Sequence, residues 1–314
     1  MKPKIVVADG FDKKLFSSLL ENPSFDVHPQ SKITQDELQT LLPDIQGLVI
    51  RSATKVNEDL VNKAPNLKYV IRAGEGVDNI DRKYCNSKGI KVSNTPGANN
   101  NSAAEHAIAL MFTLLRKTAE ANAKMKAGGW DKSLYVGNEL ANKKLGIVGF
   151  GRIGQIVAKR LAGFDLETMF YDPFVKQEQF SNYKKIDELN DIFAQSDIIT
   201  VHVPLMEQTK NMITMEQMSK MPPHALFVNA SRGKIVNEDD LLSLLSEKKI
   251  AGAGFDVFAT EPLEQNSKLR NLDNLILTPH LGASTREAQT RVGQMAINQL
   301  EEFFTNNNLL NEVN

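Results

Sequence analysis

Four side chains in the last third of the sequence could do acid–base and anion chemistry together: Arg232, Asp256, Glu261 and His280. They lie at or just past apolar runs that read as buried strands, ALFVNA (225–230), IAGAGFDVF (250–258) and LILTPH (275–280). In open α/β sheets ligands bind beyond the carboxyl ends of the strands, so these are the positions at which reactive groups belong. An imidazole paired with a carboxylate can act as a general acid–base near neutral pH. An arginine can hold a substrate carboxylate through two parallel N–H···O bonds. Beside a nicotinamide, such a set would perform hydride transfer.

A second signature supplies the nicotinamide. In KLGIVGFGRIGQIVAKRL the triplet Gly149-x-Gly151-x-x-Gly154 joins a strand to a helix, and Asp172 ends the next strand. Gly149 allows the tight turn, Gly151 lets the backbone approach a pyrophosphate, and Gly154 lets the helix pack close to the sheet. The pyrophosphate would sit at the helix N-terminus, where unbonded N–H groups and the dipole favour an anion. Asp172 would accept hydrogen bonds from the ribose hydroxyls and repel a 2′-phosphate. Pro173 and Phe174 follow it with no arginine nearby, so NAD is expected rather than NADP.

These residues need a scaffold, and the pattern predicts one. KIVVAD (4–9), GLVI (47–50), KYVI (68–71) and IKVSN (90–94) read as strands buried on both faces, alternating with helical segments. Asn57 is a candidate N-cap, and Thr34 with Glu37 fits a capping box. Pro96-Gly97 breaks the chain, and one long helix is expected from about Ser102 to Lys126, stopped by Gly128-Gly129. It is apolar on more than one face over 103–115, so it must be buried inside its domain or against a second subunit; a partner is the favoured reading. A second βα series follows, with strands read at KLGIVGF (144–150), ETMFYD (167–172) and DIITVHV (197–203) before the three named above, and a last helix starts with Ser284 near its N-cap. The fold class is α/β: two doubly wound parallel-sheet domains, a Rossmann-type cofactor domain (98–285) inserted into a flavodoxin-like substrate domain (1–97 and 286–314). The two crossings would form a hinge.

Composition narrows the function classes. Thirty-seven Lys and Arg against 38 Asp and Glu leave a net charge of −1, with no basic footprint for nucleic acid or an anionic membrane. The single cysteine, Cys85, excludes an internal disulfide or a cysteine metal cluster and is expected to be structural. No histidine cluster has metal-ligand spacing. The N-terminus lacks a signal peptide, and no run reaches the length of a membrane helix, so a cytoplasmic protein is expected. His106, on the apolar helix, reads as a packed core residue, His202 as a supporting one, and His28 and His224 as surface residues.

The sequence also resembles a known family. RSATKV (51–56), RAGEGVDNID (72–81), NTPGANNNSAAEHAIAL (94–110), GIVGFGRIG (146–154), VHVPL (201–205), NASRGKIV (229–236), GFDVFATEP (254–262) and TPHLGAST (278–285) are similar, in order, to stretches of the D-isomer-specific 2-hydroxyacid dehydrogenases. The resemblance implies that Arg232 binds the 2-carboxylate and 2-oxygen, that His280 is the acid–base, and that Glu261 orients and charges it. It implies cofactor contacts at Gly149, Gly151, Arg152, Ile153, Gly154, Asp172, Val203, Ala230, Ser231, Asp256, His280 and Gly282, and at Glu75. At Glu75 the family often has a small or hydroxyl residue, so that contact stands apart from the others. Arg51, Ser52, Arg72, Gly74 and Lys132 fall at substrate positions, with Gly74 giving close backbone approach and Lys132 reaching a neighbouring subunit.

Within the family, the members that oxidise 3-phospho-D-glycerate at the entry to serine synthesis are the most similar. Glyoxylate or hydroxypyruvate reduction is the alternative of the same class. An NAD-binding interaction module like the transcriptional corepressors of this fold is the alternative of another class, though those carry an extended C-terminal tail. A homodimer is implied. An appended serine-binding domain, and with it inhibition by serine, is not expected.

Overall fold

In a computed structural model, which describes residues 1–313, the chain divides into two compact units: Met1–Asn99 with the segment from Ala283 onward, and Asn100–Gly282. The strands are β1 (Lys4–Val7), β2 (Asp26–Val27), β3 (Gly47–Ile50), β4 (Tyr69–Arg72), β5 (Lys91–Asn94), β6 (Lys144–Val148), β7 (Glu167–Tyr171), β8 (Lys184–Lys185), β9 (Ile198–Val201), β10 (Leu226–Asn229), β11 (Gly252–Phe255) and β12 (Leu275–Leu277). Helices of the first half are α1 (Lys13–Leu20), α2 (Gln35–Leu41), α3 (Glu58–Asn62), α4 (Arg82–Ser87), α5 (Asn100–Arg116) and α6 (Thr118–Lys126). The second half adds α7 (Arg152–Leu161), α8 (Leu189–Gln195), α9 (Met215–Met218), α10 (Glu238–Ser246) and α11 (Arg286–Thr305). None of these helices is long and apolar enough to cross a membrane.

Both sheets are wholly parallel. The first unit has the order β2-β1-β3-β4-β5 and the second β12-β11-β10-β9-β6-β7-β8. The two-residue period sends alternate side chains to opposite faces. Ile5, Val7, Val49 and Ile71 pack against α1 and α11, whereas Val6, Leu48, Val70 and Val92 pack against α2, α3 and α4, with Cys85 buried among them. Burial pushes the Cys85 thiol up to about 11, so it is an inert apolar group. α11 belongs to the first unit, where Phe303 stacks on Tyr69 at 4.3 Å. In the second unit Leu145, Ile147, Phe170 and Val228 face α5 and α7, while Ile199, Val201, Phe227 and Phe255 face α8 and α10.

Local signals place most boundaries. Asn57 caps α3 through Leu60, and Thr34 and Glu37 close a capping box on α2. The final helix is capped by Thr285, whose hydroxyl accepts the Ala288 amide, rather than by Ser284. The long helix expected to Lys126 is in fact two. Lys117 takes a left-handed conformation with φ 51°, and the Leu115 carbonyl accepts the Asn138 amide at 2.9 Å from the returning chain. A contact distant in sequence thus takes a bond the helix would have used. Ala104, Ala107, Leu110, Met111 and Leu115 of α5 are buried in the core of its own unit, which accounts for one of its apolar faces. α6 has no buried residue.

Candidate active site

The second sheet reverses direction between β9 and β6, and the glycine loop follows β6 at that switch point. This is where a doubly wound sheet leaves a crevice for a ligand. Gly149 has φ +91°, and a Cβ there would lie 2.7 Å from Val203 and 2.8 Å from the His202 carbonyl carbon. The loops after β6 and β9 therefore touch, which brings Val203 beside the triplet. A Cβ on Gly154 would collide with the Gly149 carbonyl oxygen, whereas one on Gly151 would meet nothing within 4 Å. Gly151 is also the N-cap of α7, with no side chain bonded to the first amides. Open space, a glycine and uncapped amides at one helix start form a cradle that fits a dinucleotide pyrophosphate. Arg152 and Ile153 occupy the first turn of α7.

Asp172 follows β7 and braces the same loop. Its Oδ2 accepts the Phe150 amide and its Oδ1 the Phe174 amide, both at 2.9 Å. Each oxygen keeps lone-pair capacity for a ribose hydroxyl. His202 bonds the buried Thr200 hydroxyl through Nε2 at 3.0 Å, and burial lowers its pKa to about 4.

At the far strands the reactive groups converge. Arg232 sits just past β10, with its Nη1 donating to the Ser231 carbonyl at 2.7 Å. Asn229 shapes this turn: its Oδ1 accepts the Ser231 amide and hydroxyl, and its Nδ2 donates to the Arg232 carbonyl. Ala230 and Ser231 form the same turn, partly buried. A Cβ on Gly233 would overlap the Phe258 carbonyl, so only glycine lets the β10 and β11 loops pack this closely. Glu261 Oε1 accepts the Phe258 amide at 3.0 Å, and its Oε2 meets His280 Nδ1 at 2.7 Å.

Burial pushes the Glu261 pKa up, but the His280 bond, the Phe258 amide and the charges of His280 and Arg232 outweigh it and hold the carboxyl below its ordinary value. An ionised carboxylate has no proton, so His280 Nδ1 carries the shared one, and it is Nε2 that has the lone pair when the imidazole is neutral. The arrangement is a base of defined tautomer beside a fixed cation.

Asp256 was expected to contact cofactor. It is fully buried, and both its oxygens hold protein donors: Oδ1 the Thr278 hydroxyl at 2.6 Å and the Leu281 amide at 2.7 Å, Oδ2 the Gly282 amide at 2.8 Å. His106 is not a plain core residue, because its Nε2 lies 3.1 Å from Asp256 Oδ1 and 3.0 Å from Thr278 Oγ1. Two further groups escaped the sequence reading. Glu238 accepts the Ala259 amide and has a raised pKa, from burial first and then from the Asp239 and Glu261 charges. His224, expected to be unremarkable at the surface, pairs with Asp197 at 2.5 Å.

The substrate positions of the first unit cluster at the ends of β3 and β4. Asp9 accepts the Arg51 and Thr54 amides and the Thr54 hydroxyl, while Asn79 donates to the Arg51 and Thr54 carbonyls. These bonds tie the 51–55 loop, with Ser52 exposed on it, to the 73–79 loop. The close approach at Gly74 (φ +154°) is made by the protein's own Arg72 guanidinium, which fills the space a Cβ would take. The Glu75 carboxylate accepts the Gly97 amide at 2.6 Å, and its backbone carbonyl accepts Asn94. It thus braces the Pro96–Gly97 turn. Lys132 stands on an exposed turn of the second unit. Asp9, just past β1 in a bridge to Lys32, and Asn79, in the turn before α4, were not singled out from the sequence, because their partners in the 51–54 loop lie 25 or more residues away.

Comparison with known proteins agrees with this geometry. A family profile described as D-isomer specific 2-hydroxyacid dehydrogenase, NAD binding domain, matches residues 108–282. A hydroxypyruvate reductase of Thermotoga maritima is 42% identical over 292 residues, covering 92% of this chain and 94% of that one. A D-3-phosphoglycerate dehydrogenase of Archaeoglobus fulgidus is 39% identical over 93% of this chain, which spans 55% of its length. An NAD-dependent formate dehydrogenase from Staphylococcus aureus, solved in complex with NAD, superposes with a TM-score of 0.88 at 30% identity, covering 100% of this chain and 99% of that one.

Proposed function

The chain belongs to the D-isomer specific 2-hydroxyacid dehydrogenase family, and from that premise we propose that it oxidises 3-phospho-D-glycerate to 3-phosphohydroxypyruvate with NAD. NAD, when bound, supplies the carbon that accepts the hydride. The protein's own groups do the rest. Arg232 holds the substrate carboxylate and 2-oxygen. His280 Nε2 takes the 2-hydroxyl proton as the C2–H bond breaks and the C2–O double bond forms. Glu261 balances the imidazolium through Nδ1. In the reducing direction the same imidazolium returns its proton to the oxygen.

The observation that carries the reading is the 2.7 Å bond between His280 Nδ1 and Glu261, with Arg232 adding its charge to the same carboxylate. Asp172 supports NAD over NADP, because a carboxylate at the ribose repels a 2′-phosphate. Arg51 and Arg72 are assigned to the substrate's phosphate. Glyoxylate or hydroxypyruvate reduction is the second reading, favoured by the hydroxypyruvate reductase that matches over nearly its full length.

The same proposal includes a cytoplasmic homodimer in which Lys132 serves the partner's site. The end of α6 and the segment after it support the dimer, since Met125 on the helix and Trp130, Leu134 and Val136 beyond it are exposed. Following NADH absorbance across a panel of 2-hydroxy and 2-oxo acids tests the reaction. Turnover of 3-phosphoglycerate with NAD well above that of glycerate or glycolate is expected; preference for an unphosphorylated acid would overturn the substrate assignment in favour of the second reading.

A further inference from the structure

We propose that His106 is a positioning residue for the acid–base imidazole: it locks Asp256, and Asp256 folds the 278–282 turn that carries His280. The proposal rests on the reading of His280 as the acid–base.

His280 has φ +55°, a left-handed conformation that a side chain disfavours. Such a residue persists only where its surroundings over-determine it. Asp256 does so. Its backbone carbonyl accepts the His280 amide at 2.8 Å, and its carboxylate accepts the next two amides, of Leu281 and Gly282. The Thr278 hydroxyl, on the other side of the turn, donates to the same carboxylate. Three residues of the turn thus hang on one side chain that is 0% exposed.

A buried carboxylate must be fully bonded, and His106 supplies the remaining donor. Counting protons identifies the tautomer. The single Thr278 hydroxyl proton is used on Asp256 Oδ1, and the carboxylate has none. His106 Nε2 faces both oxygens, at 3.0 and 3.1 Å, so Nε2 must carry the proton. Burial raises the Asp256 pKa, but the bonds from His106, Thr278 and Leu281 and the His106 charge bring it below its ordinary value, which keeps the carboxylate an acceptor for the turn. His106 comes from α5, 172 residues from Thr278, so this bond also anchors the turn to a helix packed on the sheet. Two of the second unit's imidazole–carboxylate pairs therefore bear on the site. One, Glu261 with His280, faces the reacting atoms; the other, Asp256 with His106, holds the first in line.

His106→Leu and His106→Gln, made in the full chain and assayed with NAD, decide the point. Glutamine keeps an N–H donor; leucine keeps only bulk. Loss of alignment at a reacting group costs on the order of 10–100-fold, so leucine is expected to lower kcat by that factor, with KM and NAD affinity changed less than about threefold, and glutamine to restore most of it. In proton NMR the His280 Nδ1–H bonded to Glu261, identified by its absence in Glu261→Gln, should broaden in the leucine variant and return with glutamine. A leucine variant that keeps both kcat and this resonance overturns the proposal, as does equal loss of kcat in both variants with the resonance intact. Should leucine prevent folding, Thr278→Val removes the hydroxyl between the same two groups and carries the same expectation. His280→Ala turning over as fast as the wild type would instead sink the acid–base reading, and leave the turn standing.

Discussion

A single hydrogen bond, His280 Nδ1 to Glu261 Oε2, concentrates the chemistry proposed for this protein. Removing the imidazole in His280→Ala should lower kcat by about 10²–10⁴-fold while NAD binding, measured by fluorescence titration, is largely kept. The carboxylate has its own signature in stability. Its pKa is held below the ordinary 4.5, so the stability it contributes is present above that value and is lost as pH falls through the lower folded value. His202 acts in a separate window. It is a base kept neutral by burial, with a pKa lowered from 6.5 to about 4, so the unfolded chain binds the extra proton between these values. Stability should fall as pH drops from about 6.5 toward 4 on account of His202, and below about 4.5 on account of Glu261. Thermal melts across pH should show His202→Gln flattening the upper window and Glu261→Gln the lower. Identical pH dependence in all three proteins would remove both groups from the account.

Among the elements, the turn from β6 into α7 separates folding from binding within six residues. Gly154 is needed by the fold, since a Cβ there strikes the Gly149 carbonyl; Gly151 is open. Gly154→Ala should destabilise the protein by about 1–3 kcal/mol, the usual cost of overpacking. Gly151→Ala should leave the melting temperature without NAD nearly unchanged and weaken NAD, because the methyl enters the space where the pyrophosphate approaches. Calorimetric titration beside thermal melts tests the contrast; a Gly151→Ala protein that binds NAD like the wild type shows that the cradle lies elsewhere.

For the whole molecule, the exposed Trp130 (84% accessible), Leu134 and Val136 on the segment after α6 are more apolar surface than a solvated turn needs. Burial in a twofold interface is the expected use. Sedimentation at micromolar concentration should report a dimer, and Trp130→Ser with Leu134→Asp should yield monomers that keep their melting cooperativity. A wild type that sediments as a monomer ends the dimer proposal, and with it the role of Lys132 at a partner's site.

The sequence by itself determined what is written in local patterns. Alternating apolar runs marked ten of the twelve strands; the two it missed, β2 and β8, are two-residue edges in which no period can show. Side-chain caps marked the starts of α2 and α3. The glycine triplet, Asp172 and the reactive residues at strand ends were legible because each sits at a fixed offset from a strand. Tertiary structure alone decided what depends on partners far along the chain. The helix breaks at Lys117 because the Leu115 carbonyl bonds Asn138. Glu75 braces Gly97, and Arg72 fills the space above Gly74. His106 looked like a core histidine because a helical stripe shows only how apolar its neighbours are. That a buried carboxylate waits just past β11 to accept its N–H is a fact about two strands, a turn and a helix brought together, and no local pattern contains it.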